Sequence, residues 1–220
     1  HVLQRQTHAA GEVEVTALRV GLDLDNTLAG YDVVFADAAR AAVLVDSGWH
    51  GGKQDVRALC RTMTNGESVW MRLQGEVYGA LMHRARLVDG VDAFIARSRQ
   101  AGVRLYIVSH KTEFGHFDEA RVNLRDAARA WMDAQGFFGE SGFGFTPGDV
   151  FFENDRASKV RRIAALSCAF FVDDLDDVFR EPDFPETTRR ILFTAGQPAP
   201  DGPYLALPDW KSIGDAVLGR

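Results

Sequence analysis

The sequence predicts an α/β fold in three layers, a parallel sheet between helices, with a block of helices inserted after the first strand. Three observations predict it. Short apolar runs rich in β-branched and aromatic residues, at 17–22, 103–108, 150–152 and 169–172, alternate with stretches of helical texture. Most of these runs end in polar residues: Asp23 and Asp25, Ser109, Asn154-Asp155, and Asp173-Asp174. Residues 31–88 break the pattern, being rich in Ala, Arg, Leu, Met and Trp. Alternating strands and helices make parallel crossovers, and a parallel sheet gathers its site at the C-terminal ends of its strands.

The elements follow in order. The run Ala17 to Leu22 reads as a buried strand ending in acids, with Asn26-Thr27 forming the turn beyond it. Gly51-Gly52 and Asn65-Gly66 divide the insert into three or four short helices, read as a cap or lid over 31–88. A helix from Asp89 to Gln100 stops at Ala101-Gly102 and leads into the strand at 103–108. After the run at 150–152, Asn154-Asp155 supplies the N-cap of a helix through Ser158, Lys159, Ile163 and Leu166, with Asn154 read as part of the cap. Further strands are expected at 190–193 and 204–207, and a closing helix from Asp209. The core domain is thus 17–30 with 89–220. Residues 1–16 start without methionine, carry a mixed polar composition, and read as a flexible, trimmed or appended segment.

Composition sets the outer bounds. The 220 residues are 46% hydrophobic and 25% charged, enough for one large domain or a domain with an insert. No run reaches the roughly 18 apolar residues of a membrane helix. A net charge of −6 argues against binding along a nucleic-acid backbone and leaves a small anionic ligand open. Two cysteines, Cys60 and Cys168, cannot form a disulfide framework, and Cys168 lies in an apolar run where a buried thiol is expected. The cytoplasm is the expected compartment.

The pair Asp23 and Asp25 carries the strongest signal, because alternate strand residues face the same side. A calcium loop counted from Asp23 would need Gly at its sixth position and Glu at its twelfth, where Leu28 and Val34 stand. Only four of the 25 basic residues are lysine: Lys53, Lys111, Lys159 and Lys211. Lys159 opens a helix, where a cation opposes the helix dipole, so its placement favours function. The run Asp173-Asp174-Leu175-Asp176-Asp177 sets four carboxylates within five residues, which repel unless a cation or solvent screens them. In the insert, Trp70, Leu73 and Val77 form a core stripe at helical spacing, with Arg72 and Gln74 off it. Trp49, His50, Lys53, Tyr78 and His83 add groups suited to a polyol, most of them expected to pack. The phenylalanines 137, 138, 143 and 145 read as a loop packed on the core.

The ordered set Leu22-Asp23-Leu24-Asp25-Asn26-Thr27-Leu28, Ile107-Val108-Ser109, Lys159 and Phe171-Val172-Asp173-Asp174 resembles the four motifs of the haloacid dehalogenase superfamily of phosphohydrolases. The resemblance covers 18–30 and 88–210 and implies a Rossmann-like core with a helical cap inserted after the first strand. It implies that Asp23 is the nucleophile, forming an aspartyl-phosphate, and that Asp25 protonates the leaving oxygen and then activates water. Ser109 would donate to a phosphoryl oxygen, and Lys159 would offset charge between that group and Asp23. Mg²⁺ is the implied cofactor, on Asp23, the backbone carbonyl of Asp25, Asp173, and either Asp174 or Asp177. Asp176 is read as solvated. Thr27, His110, Lys111 and Arg72 are read as substrate contacts. Relatives that displace halide lack the acid at the position of Asp25, so dehalogenation fits poorly. The expected function is Mg²⁺-dependent hydrolysis of a small phosphomonoester, a sugar phosphate or a nucleotide, with no nucleic-acid polymer or membrane as partner. A phosphotransferase or mutase, or a catalytically idle regulatory subunit, are the alternatives.

Overall fold

A computed structural model describes residues 17–116 and 120–219. The expectation for residues 1–16 lies outside the described residues. In chain order the elements are β1 (Arg19–Leu22), β2 (Ala29–Gly30), α1 (Asp32–Ala41), α2 (Lys53–Arg61), α3 (Gly66–Tyr78), β3 (Arg86–Leu87), α4 (Val91–Gln100), β4 (Arg104–His110) and α5 (Leu124–Ala134). They continue with β5 (Val150–Glu153), α6 (Arg156–Ala165), β6 (Phe170–Asp173), α7 (Asp176–Phe179), β7 (Arg189–Phe193), β8 (Leu205–Leu207) and α8 (Trp210–Leu218).

Six strands pair in parallel in the order β5-β4-β1-β6-β7-β8, and β2 pairs antiparallel with β3. From β1 the chain winds outward through β4 to β5, then returns to β6 and winds the other way through β7 to β8. The reversal opens a crevice between the C-terminal ends of β1 and β6, where a doubly wound sheet binds its ligands. Asp23 and Asp173 sit at those two ends.

The pleat sorts the core into two layers. Val20, Leu22, Ile107, Val172 and Ile191 face one side with Phe94, Ile95 and Ile213, while Val108, Phe171 and Leu192 face the other with Val160, Ile163 and Phe179. Gly21 falls on the second face, where a Cβ would stand 2.5 Å from the Phe171 ring and 3.1 Å from Cys168 Sγ. The absent side chain is what lets that ring pack against β1.

The helices start where their caps lie. Asp155 accepts from the Ser158 N–H at 2.6 Å and opens α6, so the cap is Asp155 alone. Asn154 accepts instead from Arg125 Nη2 at 2.5 Å, which corrects its reading as a cap. Asp209 accepts from the Ser212 N–H at 2.7 Å and opens α8. Asn123 accepts from the N–H groups of Arg125 and Asp126 and opens α5, a helix the sequence reading did not anticipate. The expected strands at 190–193 and 204–207 appear as β7 and β8 with shifted ends.

Residues 32–78 form three helices, and β2 and β3 make the two-stranded stem from which they rise. Gly51-Gly52 and Asn65-Gly66 do fall at the starts of α2 and α3. Phe35 of α1 stacks on Trp70 of α3 with ring centroids 5.1 Å apart. Trp70, Leu73 and Val77 are buried, as are Phe137 and Phe145 of the phenylalanine loop. The apolar interior of the insert runs without a break into that of the sheet.

Gly21→Ala should cost about 1–3 kcal/mol through overpacking against Phe171. Urea unfolding of the variant beside the parent measures this, and an equal midpoint would mean that the Phe171 ring has room to shift.

Candidate active site

The backbone beyond β1 turns both acids of the first motif into one cavity. The Asp23 N–H still donates to the Val172 carbonyl at 2.9 Å, extending the pairing with β6 by one residue. Asn26 then takes φ 64°, a left-handed conformation that asparagine tolerates, and the N–H groups of Leu28 and Ala29 both return to the Leu24 carbonyl. Leu24 is buried between the acids, and Asp23 and Asp25 line a cavity of about 340 Å³ with Lys53, Ser109, Lys111 and Lys159.

Lys159 is the charge at the centre. Its Nζ donates to Asp23 Oδ1 and to Asp173 Oδ2, each at 2.6 Å, and all three side chains are buried. Burial works against the ammonium, but Asp173 and Asp23 outweigh it and hold Lys159 above its ordinary value. Burial likewise pushes the Asp23 carboxyl well above the usual range; Lys159 opposes this, and Asp173 and Asp174 add to it. The Asp174 carboxyl is pushed up to about 7 by burial, against the pull of Lys53. Asp23, Asp173 and Asp174 each offer an oxygen within 4.8 Å of the other two. Three carboxylates this close make the all-oxygen donor set that a hard divalent cation prefers.

Asp25 is held at both oxygens. Tyr31 donates its hydroxyl to Oδ1 at 2.5 Å, and the buried Lys111 ammonium lies 2.8 Å from Oδ2. The Lys111 Nζ also stands 5.1 Å from the centre of the Tyr78 ring. Ser109, which follows Val108 on β4, is buried, and its Oγ has no hydrogen-bond partner among the described residues.

Solved structures share this architecture. The HAD-hydrolase YfnB from Bacillus subtilis, bound to magnesium, matches over 92% of this chain and 99% of its own, with TM-score 0.55 and 13% identity. CbbY from Rhodobacter sphaeroides, in complex with phosphate, matches over 90% and 97%, with TM-score 0.54 and 17% identity. The chain has the haloacid dehalogenase-like fold. The L-2-haloacid dehalogenase RSc1362 shares it as well, over 92% and 99%, with TM-score 0.54 and 15% identity. No family model matches the sequence, and no curated protein matches it.

On this haloacid dehalogenase-like scaffold the expected residues divide. Asp23, Asp25, Ser109, Lys159 and Asp174 line the cavity, and Asp173 lies beneath it on Lys159. Asp177 does not join the acidic cluster: its side chain is 61% exposed and pairs with Arg156 at 3.2 Å, which leaves Asp174 as the second carboxylate after Asp173. Asp176 pairs with Arg180 at 2.8 Å, where solvation was expected. Thr27 is corrected from a substrate contact to a support, because it is fully buried and its hydroxyl donates to Asp23 Oδ2 at 3.2 Å. Arg72 is corrected too. It is exposed on the outer face of α3, while Met71, Gln74, Gly75 and Tyr78, at helical spacing, present one stripe to the cavity.

His110 and Lys111 line the cavity, but each already has a protein partner. His110 Nε2 lies 3.1 Å from the Asn154 carbonyl, and burial and Lys159 hold its imidazole below the ordinary value. Lys111 is committed to Asp25. The residue missed by sequence reasoning is Tyr31, which stood only as the first residue of the insert; the fold alone brings its hydroxyl to Asp25. Tyr78, named among the insert groups suited to a polyol, does line the cavity.

Two outcomes test this electrostatic arrangement. Lys159→Met leaves Asp23 and Asp173 facing each other without a cation and should cost about 3–5 kcal/mol in EDTA; thermal melts measure it, and added Mg²⁺ should recover part of the loss. The raised value of Asp174 means that its stabilising share belongs to the protonated form, is full below the usual carboxylate range, and is lost as pH rises through about 7. The melting point of the metal-free protein should therefore fall between about pH 4 and pH 7 and level off above it. Asp174→Asn should flatten that slope, and an unchanged slope would assign the titration to another group.

Proposed function

We propose that the protein is a Mg²⁺-dependent hydrolase of a small phosphomonoester, acting through an aspartyl-phosphate on Asp23. The observation that carries the reading is the Ser109 hydroxyl, buried without a partner among the described residues in the same cavity as Asp23 and Lys159. An unsatisfied buried hydroxyl costs about 1–3 kcal/mol, and a phosphoryl oxygen is an acceptor that would restore the bond.

In the proposed reaction an oxygen of Asp23 attacks phosphorus, the bond from phosphorus to the ester oxygen breaks, and that oxygen leaves with a proton from Asp25. Water then attacks the phosphorus of the acyl phosphate while Asp25 takes its proton, releasing phosphate and restoring Asp23. Tyr31 and Lys111 aim the Asp25 carboxylate through its two oxygens. Lys159 places its ammonium between Asp23 and Asp173, where it limits the build-up of negative charge. Asp23, Asp173 and Asp174 fit the implied Mg²⁺, which when bound supplies positive charge to the phosphoryl oxygens.

Helices α1 to α3 serve as the cap, with α3 forming a wall of the cavity. A site of this volume suits a small metabolite such as a sugar phosphate or nucleotide. Asp25 favours ester hydrolysis over halide displacement, which needs no acid at that position. Both cysteines are free and buried, in keeping with a reducing cytoplasm. No helix among the described residues is long and apolar enough to cross a membrane.

Phosphate release from sugar phosphates, nucleotides and an aryl phosphate, with Mg²⁺ or EDTA, tests the reading. Turnover should require the metal and fall at least about a thousandfold in Asp23→Asn, with a cooperative melting curve showing that the variant is folded. Asp25→Asn should accumulate a phosphorylated enzyme seen as an intact-mass increment. Metal-dependent turnover persisting in Asp23→Asn would overturn the assignment of the nucleophile.

A further inference from the structure

The cavity that holds Asp23 is charged on one part of its lining and apolar on another, where Met71, Gly75, Leu124, Leu175 and Val178 stand. Among the described residues Leu175 is the one large apolar side chain that is both exposed, at 46%, and in this cavity. Beyond the acids, the lysines and Ser109, the polar side chains of the lining are mostly spent within the protein. Thr112 donates its hydroxyl to the Phe114 carbonyl at 2.9 Å, His110 Nε2 meets the Asn154 carbonyl, and Arg156 pairs with Asp177 and Glu181. Tyr78 is engaged by Asn26. The Gln74 amide and the exposed His116 make no hydrogen bond among the described residues.

We infer that the alcohol released in this cavity carries a flat nitrogen-heterocyclic ring, as a nucleoside monophosphate does, seated on α3 at Gly75 with the Gln74 amide along its edge. The inference rests on the phosphomonoester reading and deepens it by choosing between its two substrate classes. A polyol presents a hydroxyl on nearly every carbon, and each hydroxyl taken from water needs a partner. This lining has few partners left to give. A heterocyclic base makes the opposite demand, apolar contact over its faces and hydrogen bonds along one edge. A side-chain amide donates and accepts at once, so a single glutamine can serve such an edge.

Helix α3 is shaped for that ring. Met71, Gln74, Gly75 and Tyr78 share its cavity stripe, and the glycine leaves a notch between two large side chains. A glycine inside a helix weakens it relative to alanine, so helix stability does not account for this one. With no Cβ in the way, a ring can lie against the helix backbone beside the Met71 thioether, a group that packs well on aromatic rings. Tyr78 stands near the Lys111 ammonium and so marks the charged end of the stripe. Gly75 lies about 4.5 Å farther along the axis and Met71 about 10.5 Å, which gives the alcohol a path along α3 away from the charged groups.

The test compares phosphate release by the Mg²⁺-loaded protein from AMP, UMP and pyridoxal 5′-phosphate with release from ribose 5-phosphate, which keeps the pentose and the ester but lacks the ring. At least one ring-bearing ester should exceed ribose 5-phosphate about tenfold or more in kcat/KM, as burial of one ring predicts. The nucleotides and the pyridine ester show which ring is preferred. Gly75→Leu, which fills the notch, should erase most of that ratio, and Gln74→Leu should cut it a few-fold, with a melting curve for each. Should Gly75→Leu not fold, Gly75→Ala and Gln74→Leu carry the same comparison. Calorimetric titration of adenosine, uridine and pyridoxal, against ribose, reads the ring site without turnover. Ribose 5-phosphate hydrolysed as well as every ring-bearing ester, or a ratio unchanged in both variants, would overturn the inference and leave the hydrolase reading intact. No turnover of any ester, with ring-bearing alcohols still bound in a Gly75-dependent way, sinks the hydrolase reading and keeps the ring site; neither turnover nor binding sinks both.

Discussion

Lys159 reaches from the first turns of α6 to place one ammonium 2.6 Å from a carboxylate that follows β1 and 2.6 Å from another that closes β6. These two strands are neighbours only because the winding of the sheet reverses between them. The reversal brings two acids together in a buried crevice, and without a cation neither could stay ionised beside the other. The site therefore depends on this triangle. It holds Asp23 in position from one side while Thr27 holds it from the other, and it leaves Asp174 at the rim as the third oxygen donor.

A second pairing repeats the device one layer above. Asp25 is fixed between a lysine at the end of β4 and a tyrosine at the foot of the insert, so its direction is set jointly by the sheet and by the helices. The insert is accordingly part of the site and not only a cover. Tyr31 stands edge-on to Tyr78 at 4.8 Å, and Tyr78 in turn meets Lys53 and the Lys111 ammonium.

Much of this was legible. The strands at 17–22, 103–108, 150–152 and 169–172 were readable because buried parallel strands are short, apolar and bounded by polar ends. The pairs at Asp23 and Asp25 and at Asp173 and Asp174 were readable because strand ends place such residues at one sheet edge. Helix α5 was not anticipated, although Asn123 ahead of Leu124, Ala128, Trp131 and Met132 gives a cap and a helical stripe. Arg72 was misplaced for a simpler reason. Knowing that a residue lies off a helix's core stripe does not say which of its other faces meets the cavity, and here Gln74 meets it while Arg72 faces outward.

The sequence by itself determined the fold class, the four strand ends that carry acids or a hydroxyl, and the scarcity of lysine that marks Lys159. All of these are local properties, written in periodicity, capping and composition over a few neighbouring residues. Only the tertiary structure decided how the charges pair: Lys111 with Asp25, Asp177 with Arg156 outside the cluster, and Thr27 with Asp23. Pairing depends on distances of a few ångströms between groups far apart in the chain. Those distances are set by strand order and by the tilt of the insert, which no window of sequence contains.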